Sequence, residues 1–273
     1  MQINRTYKVA ILDLYNGVPN DGIEGFKLIL NRYRDLHHLN LNYEVFEVRQ
    51  KEELPGLDFD IYFFSGGPGN PLSETESWDI KLFDLIEKLT QHNLSDAPDK
   101  KYGFFVCHSF QIMCRHYQLG EVCLRKSPSF GVLPVHLTET GCRDAVNKNL
   151  GAIFYAVDSR AWQVINPDEK RFAELGFELL AVEKERPHVD LPQAMMAIRF
   201  GPYFFATQFH PEVDLALMKA YVLKKADEYE EVRQVSAEKY QQILTLLNDP
   251  KAIAHTQQTM IPNFLDQAIA GLQ

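Results

Sequence analysis

The chain has 273 residues, a formal net charge of -9, 45% hydrophobic residues and 24% charged residues. It is long enough to bury most of its apolar surface, in one large α/β domain or two small ones. An acidic chain repels phosphate backbones and anionic membranes, which argues against a nucleic-acid or membrane partner, and no run approaches the roughly 18–20 apolar residues of a bilayer span.

In chain order, residues 9–14 form a short apolar run bounded by Tyr15-Asn16-Gly17, which predicts a first strand and a turn. Ile23, Phe26, Leu30 and Tyr33 then recur at helical spacing. Residues 43–48 read as a second strand, and residues 59–64 as a third, almost continuously apolar as suits a strand covered on both faces. The third ends in a glycine-rich turn, residues 65–71. Ser73, with Glu76 three residues on, predicts a capping box for a helix whose stripe is Leu82, Leu85, Ile86 and Leu89. Residues 102–106 form a fourth strand, and Cys107 begins a helix that Gly120 ends.

This alternation predicts βαβ units and a mostly parallel central sheet with helices on both faces. From about residue 121 the pattern changes to short runs (residues 132–137, 153–157, 195–200 and 204–209), which predict a smaller, partly antiparallel section. After Asp214 the chain reads as helical: Tyr240, Ile243, Leu244 and Leu247 share a face, Asn248-Asp249-Pro250 stops that helix, and residues 261–272 are a last apolar segment. The expectation is a single α/β domain with a helical C-terminal extension.

Cys107, Cys114, Cys123 and Cys142 show no CxxC spacing, so no zinc site is expected. The first apolar stretch is short and contains Asp13, unlike a secretory signal. The expected setting is therefore cytoplasmic, with reduced thiols. No His/Asp/Glu cluster has metal-ligand spacing, and no Gly-Lys-Ser/Thr follows the glycine turn, so neither a metal, a cofactor nor a nucleotide site is expected.

A cysteine between a strand and a helix stands on a tight turn, beside backbone N–H groups and the positive end of the helix dipole, which favour thiolate. In Gln208-Phe209-His210-Pro211-Glu212 a carboxylate two residues after a histidine can orient the imidazole. The glycines around Pro68 let backbone approach a substrate and aim an N–H at a developing oxyanion. If the strand ends meet, Cys107, His210 and Glu212 form a nucleophile, a base and an orienting acid, a constellation for acyl chemistry.

Taken in order, the turn Phe64-Ser65-Gly66-Gly67-Pro68-Gly69, the elbow Val106-Cys107-His108-Ser109-Phe110-Gln111 and the 208–212 strand resemble the class I (triad) glutamine amidotransferases over about residues 7–215. The resemblance makes residues 1–215 the family's domain and residues 216–273 the helical extension, packed on or next to it. It implies Cys107 as nucleophile, His210 as base and acid, Glu212 as its orienter, and the backbone N–H groups of Gly67 and His108 as the oxyanion hole. It further implies substrate contacts from Gly69, Gln111 and the backbone of Trp162. Phe105 and Ser109 stand where the family usually has glycine, and Arg160 stands where a histidine is common.

The implied activity is hydrolysis of a γ-glutamyl amide, with glutamine or a γ-glutamyl compound as substrate, a thioester intermediate and release of ammonia. About 60 residues follow the triad, too few for an ATP-dependent synthetase, so the acceptor would be a separate synthetase subunit. Two alternatives stay open: a free-standing γ-glutamyl hydrolase, and a non-catalytic binding or regulatory module that keeps the fold.

Overall fold

The computed structural model describes residues 5–185, 190–214, 245 and 253–273. Its core is one nine-stranded mixed sheet. The strands are β1 (Thr6–Asp13), β2 (Asn40–Glu47), β3 (Ile61–Phe64), β4 (Tyr102–Val106), β5 (Glu121–Leu137), β6 (Ile153–Ile165), β7 (Glu178–Glu183), β8 (Met195–Phe200) and β9 (Phe204–Thr207), in the spatial order β2-β1-β3-β4-β9-β8-β7-β5-β6. From β2 to β9 the five neighbours pair in parallel, and from β9 to β6 every pairing is antiparallel.

The helices whose bounds lie within the described residues are α1 (Gly22–His37), the short α2 (Val48–Lys51), α3 (Ser77–Leu94), α4 (His108–Tyr117), α5 (Glu139–Arg143), α6 (Glu169–Leu175) and α7 (Ile253–Leu272). Alternate residues of each central strand feed opposite faces of the sheet. Val9, Ile11, Ile61, Phe63 and Phe104 meet Phe26 and Leu30 of α1 and Phe264 and Leu265 of α7. Ala10, Leu12, Tyr62, Phe64 and Phe105 meet Leu82 and Leu89 of α3 and Met113 of α4. Helices on both faces explain why residues 61–64 and 102–106 are apolar at every position rather than alternating.

Several boundaries differ from the sequence reading. The Ser73 capping box does not form: α3 starts at Ser77, its N-cap is Glu76, and no side chain bonds the first turn. Glu76 instead accepts a hydrogen bond from Trp78 Nε1 at 2.6 Å. Gly120 does not close α4; Gln118 does, in the left-handed conformation at φ 56°, with its N–H on the Arg115 and Cys114 carbonyls. The run at 132–137 is only the end of the 17-residue β5, and β7, which that reading omitted, joins β5 to β8. The final apolar segment lies in α7, which runs through Pro262. The helix expected around residues 240–247 and its stop at 248–250 lie outside the described residues, apart from residue 245. Among the described residues no helix is long and apolar enough to cross a membrane.

Candidate functional site

Parallel register brings three turns to one rim. Phe64 pairs with Leu12 on one side and Phe105 on the other, and Val106 pairs with Thr207. The residues just beyond those partners, Leu14-Tyr15, residues 65–69, Cys107 and residues 208–212, therefore emerge together at the carboxyl ends of β1, β3, β4 and β9, where open parallel sheets form their ligand crevices.

Cys107 is the N-cap of α4, at φ 51° and ψ -97°. A side-chain residue at positive φ is strained, and such strain persists only where its surroundings over-determine it. Its N–H is tied to the Thr207 carbonyl at 2.8 Å. Sγ lies 3.8 Å from the Ser159 carbonyl and 3.7 Å from Gln208 Nε2. His210 is held by its own N–H on the Val157 carbonyl at 2.8 Å. Its Nδ1 is 2.7 Å from Glu212 Oε1, and Glu212 is fully buried. Burial alone would depress the imidazole pKa, but the charges of Glu212 and Cys107 and hydrogen bonds to both outweigh it, and the net direction is well upward. Cys107, His210 and Glu212 thus stand together at this rim.

Gly66, Gly67 and Gly25 are small for identifiable reasons. A Cβ on Gly66 would approach His210 Cε1 at 3.0 Å and Cys107 Cβ at 3.4 Å. One on Gly67 would overlap the Leu14 carbonyl oxygen, and one on Gly25 the Glu212 carbonyl oxygen. A cavity of about 340 Å³ opens beside the sulfur, with Gly67, Pro68, Ser159, His210, Tyr15 and Asp21 among its walls.

The other expected contacts fall elsewhere. Gln111 and Trp162 do not line this cavity: Gln111 Nε2 donates to the Trp162 carbonyl at 3.3 Å and to Gln208 Oε1 at 3.1 Å. Gly69, at φ 107°, faces Arg49. Sequence reasoning missed Tyr15 and Gln208 as site neighbours. Tyr15 projects from the turn after β1, half-buried; burial and the charges of Glu212 and Cys107 push its phenol pKa up, so it stays protonated. The available signal was its position directly after the first strand.

The departures from the family pattern have local accommodations. Phe105 stacks on Phe64, with centroids 4.1 Å apart, and its room comes from Gly103 two residues earlier, where a Cβ would crowd Phe105 and Phe204. Ser109 is fully buried; its hydroxyl accepts from the Val106 N–H at 2.8 Å and lies 2.9–3.0 Å from the carbonyls of Phe64, Ser65 and Val106, stitching the elbow to the turn after β3. Arg160 is committed to a buried ion network rather than to the cavity. Its Nε binds Asp158 at 3.0 Å and its Nη2 binds Glu183, which also pairs with Arg125 at 2.7 Å.

His108 is buried, and its Nε2 has no hydrogen-bond partner among the described residues. Burial, reinforced by Arg49 and Arg115, lowers its pKa from 6.5 to about 3. A folded-state pKa below the unfolded one means that the folded state takes up its proton later, so stability is complete above about pH 6.5 and falls as pH drops towards 3. Between pH 7 and pH 5 the neutral imidazole should account for about 2 kcal/mol of lost stability. Urea melts at both pH values, compared with those of His108→Gln, check this: the difference between the two proteins should shrink in acid.

No group of His, Cys, Asp and Glu suited to a metal ion occurs among the described residues. The Glutamine amidotransferase class-I family model matches residues 25–227. The chain belongs to the class I glutamine amidotransferase family. Solved structures agree on the fold. A glutamine amidotransferase from Thermotoga maritima superposes with a TM-score of 0.68 at 13% identity, covering 97% of this chain and 99% of that one. A glutamine amidotransferase from Methylobacillus flagellatus gives 0.65 at 14% identity, over 98% and 96% of the two chains. The glutaminase domain of Trypanosoma brucei CTPS, solved with bound acivicin, gives 0.59 at 14% identity, over 97% and 94%. No curated protein matches the sequence.

Proposed function

We propose that this chain hydrolyses the side-chain amide of glutamine and releases ammonia to a separate acceptor, a synthetase subunit. The observation that carries this reading is the 2.7 Å contact of His210 Nδ1 with buried Glu212, which leaves Nε2 as the nitrogen for Cys107. Glu212 sets the tautomer and stabilises imidazolium when it forms. The Cys107 thiolate attacks the amide carbon, and the carbonyl electrons move onto oxygen. Gly67 and His108 N–H groups receive that oxyanion; one such donor is typically worth about 3–4 kcal/mol. Imidazolium gives its proton to the departing nitrogen, ammonia leaves, and a thioester remains. Neutral imidazole then takes a proton from water, hydroxide adds to the thioester, and glutamate and thiolate are restored. Residues 1–215 carry this chemistry, with 216–273 as an extension. Gln111 and Trp162 act beneath the sulfur, through Gln208, rather than on the substrate directly.

A chloroketone analogue of glutamine tests the reading. It should add one label per chain, on Cys107, seen by intact mass, and excess glutamine should slow the labelling. Cys107→Ala should take no label and hydrolyse no glutamine. A retained glutaminase activity in that variant, or a label on another residue, would reject the assignment.

A further inference from the structure

The turn that carries Gly67 is gripped by a residue far from it in sequence. Arg49 lies on α2, directly after β2. Its Nη1 donates to two carbonyls: Leu14, at 3.3 Å, just beyond β1, and Pro68, in the glycine turn beyond β3. The guanidinium lies over the Trp78 ring, 4.8 Å from its centroid. Trp78 is itself fixed by its Nε1 bond to Glu76. A Cβ on Gly69 would meet Arg49 Nη2 at 3.2 Å, so the turn rests against the guanidinium on that side too.

Gly67 lies between these attachments. It leans on the Leu14 carbonyl so closely that any side chain there would overlap it, and Arg49 holds that same carbonyl together with the carbonyl of the next residue, Pro68. The planar guanidinium lies over the Trp78 ring while Nη1 reaches both carbonyls, a stacked placement that a lysine ammonium does not reproduce. Arg49 Nε is buried with no hydrogen-bond partner among the described residues. The hydrogen bonds that the guanidinium makes to the turn are those of Nη1 to the two carbonyls. Arg49 does not line the cavity beside Cys107.

We propose that Arg49 is a positioning residue for the oxyanion hole: by holding the Leu14 and Pro68 carbonyls it fixes the glycine turn with the Gly67 N–H directed at the space beside Cys107. The proposal rests on the reading of Cys107 and Gly67 given above.

The test uses the full chain, Arg49→Met and Arg49→Lys, and three readouts: steady-state glutamine hydrolysis, alkylation of Cys107 by iodoacetamide, and labelling by the chloroketone analogue. Iodoacetamide displaces iodide at a saturated carbon and develops no oxyanion; the chloroketone first takes the thiolate at its carbonyl, developing an oxyanion, before the sulfur moves to the adjacent methylene and chloride leaves. Arg49→Met should lower kcat by about 10²-fold, up to the effect of losing one oxyanion donor, with KM within about twofold. Chloroketone labelling should slow in step while iodoacetamide alkylation keeps its rate. Arg49→Lys, which retains the charge and guards against a Met variant that fails to fold, should be slowed in the same selective manner.

An unchanged kcat in either variant would overturn the proposal, as would an equal slowing of both labels, which marks general damage to the site. If the unmodified chain neither hydrolyses glutamine nor takes the chloroketone, the parent reading fails and this one falls with it. Selective slowing in the variants of an active chain supports the proposal.

Discussion

Replacing His210 with alanine is expected to lower kcat/KM for glutamine by about 10⁴-fold or more, since members of a nucleophile–base unit fail together. On the proposed mechanism three jobs end at once: activation of the thiol, protonation of the leaving nitrogen and activation of water. Glu212→Gln should cost less, because the amide can still contact Nδ1 but no longer favours imidazolium. The raised pKa of His210 gives this a pH signature. A group whose folded pKa exceeds its unfolded value contributes stability that is fully present below the unfolded value, near 6.5, and is lost as pH rises through the folded one. The imidazolium form should therefore persist further into alkali in the wild type than in Glu212→Gln. Histidine NMR shifts across a pH titration follow it, and a titration identical in the two proteins would remove Glu212 from its role.

The second large effect is expected at Gly25, which does not line the cavity beside Cys107. An alanine in place of a glycine within a helix ordinarily stabilises a protein by about 0.5–1 kcal/mol. Here the sign should reverse. The new methyl would overlap the carbonyl oxygen of Glu212, which is backbone and not a flexible side-chain tip. Relief requires α1 and the 210–212 segment to separate. Overpacking of this kind typically costs about 1–3 kcal/mol, measurable as a fall in the urea midpoint. Because the displaced segment orients His210, and a misplacement of about 1 Å can cost 10²-fold in rate, Gly25→Ala should lose activity even where it remains folded. A variant as active and as stable as the wild type would show that α1 does not set the position of Glu212.

The centre of the parallel half was legible because β3 and β4 are continuously apolar and end in distinctive turns. Residues 102–106 were bounded to the residue, since Cys107 and the polar helix that follows mark a sharp change. The antiparallel half was harder. β5 is largely exposed along its first half, so its residues follow no apolar alternation, and only the buried end at 132–137 carried a signal. α3 misled through Ser73, whose capping pattern is satisfied by sequence but not by geometry; Trp78 takes the Glu76 carboxylate instead. Cys107, His210 and Glu212 were recognisable because each lies in a local motif. Arg49, Tyr15 and Gln208 were not, because their roles come from tertiary approach: Arg49 reaches a turn 19 residues away and Gln208 a sulfur 101 residues away.

The strand order has a consequence for how the molecule is made. Among the described residues β9 follows all the other strands in sequence, yet it lies between β4 and β8, in the middle of the sheet. Until residue 207 has left the ribosome, the sheet has a slot where its centre belongs, and the apolar edge of β4 is unpaired. Such an edge is a template for wrong partners. Closing the slot joins segments about 100 residues apart, a slow kind of contact to find, and the same event delivers the imidazole to the thiol. On the proposed chemistry, the pairing of β9 both fills the centre of the sheet and completes the nucleophile–base pair, so a nascent chain would carry no working nucleophile before that strand is in place.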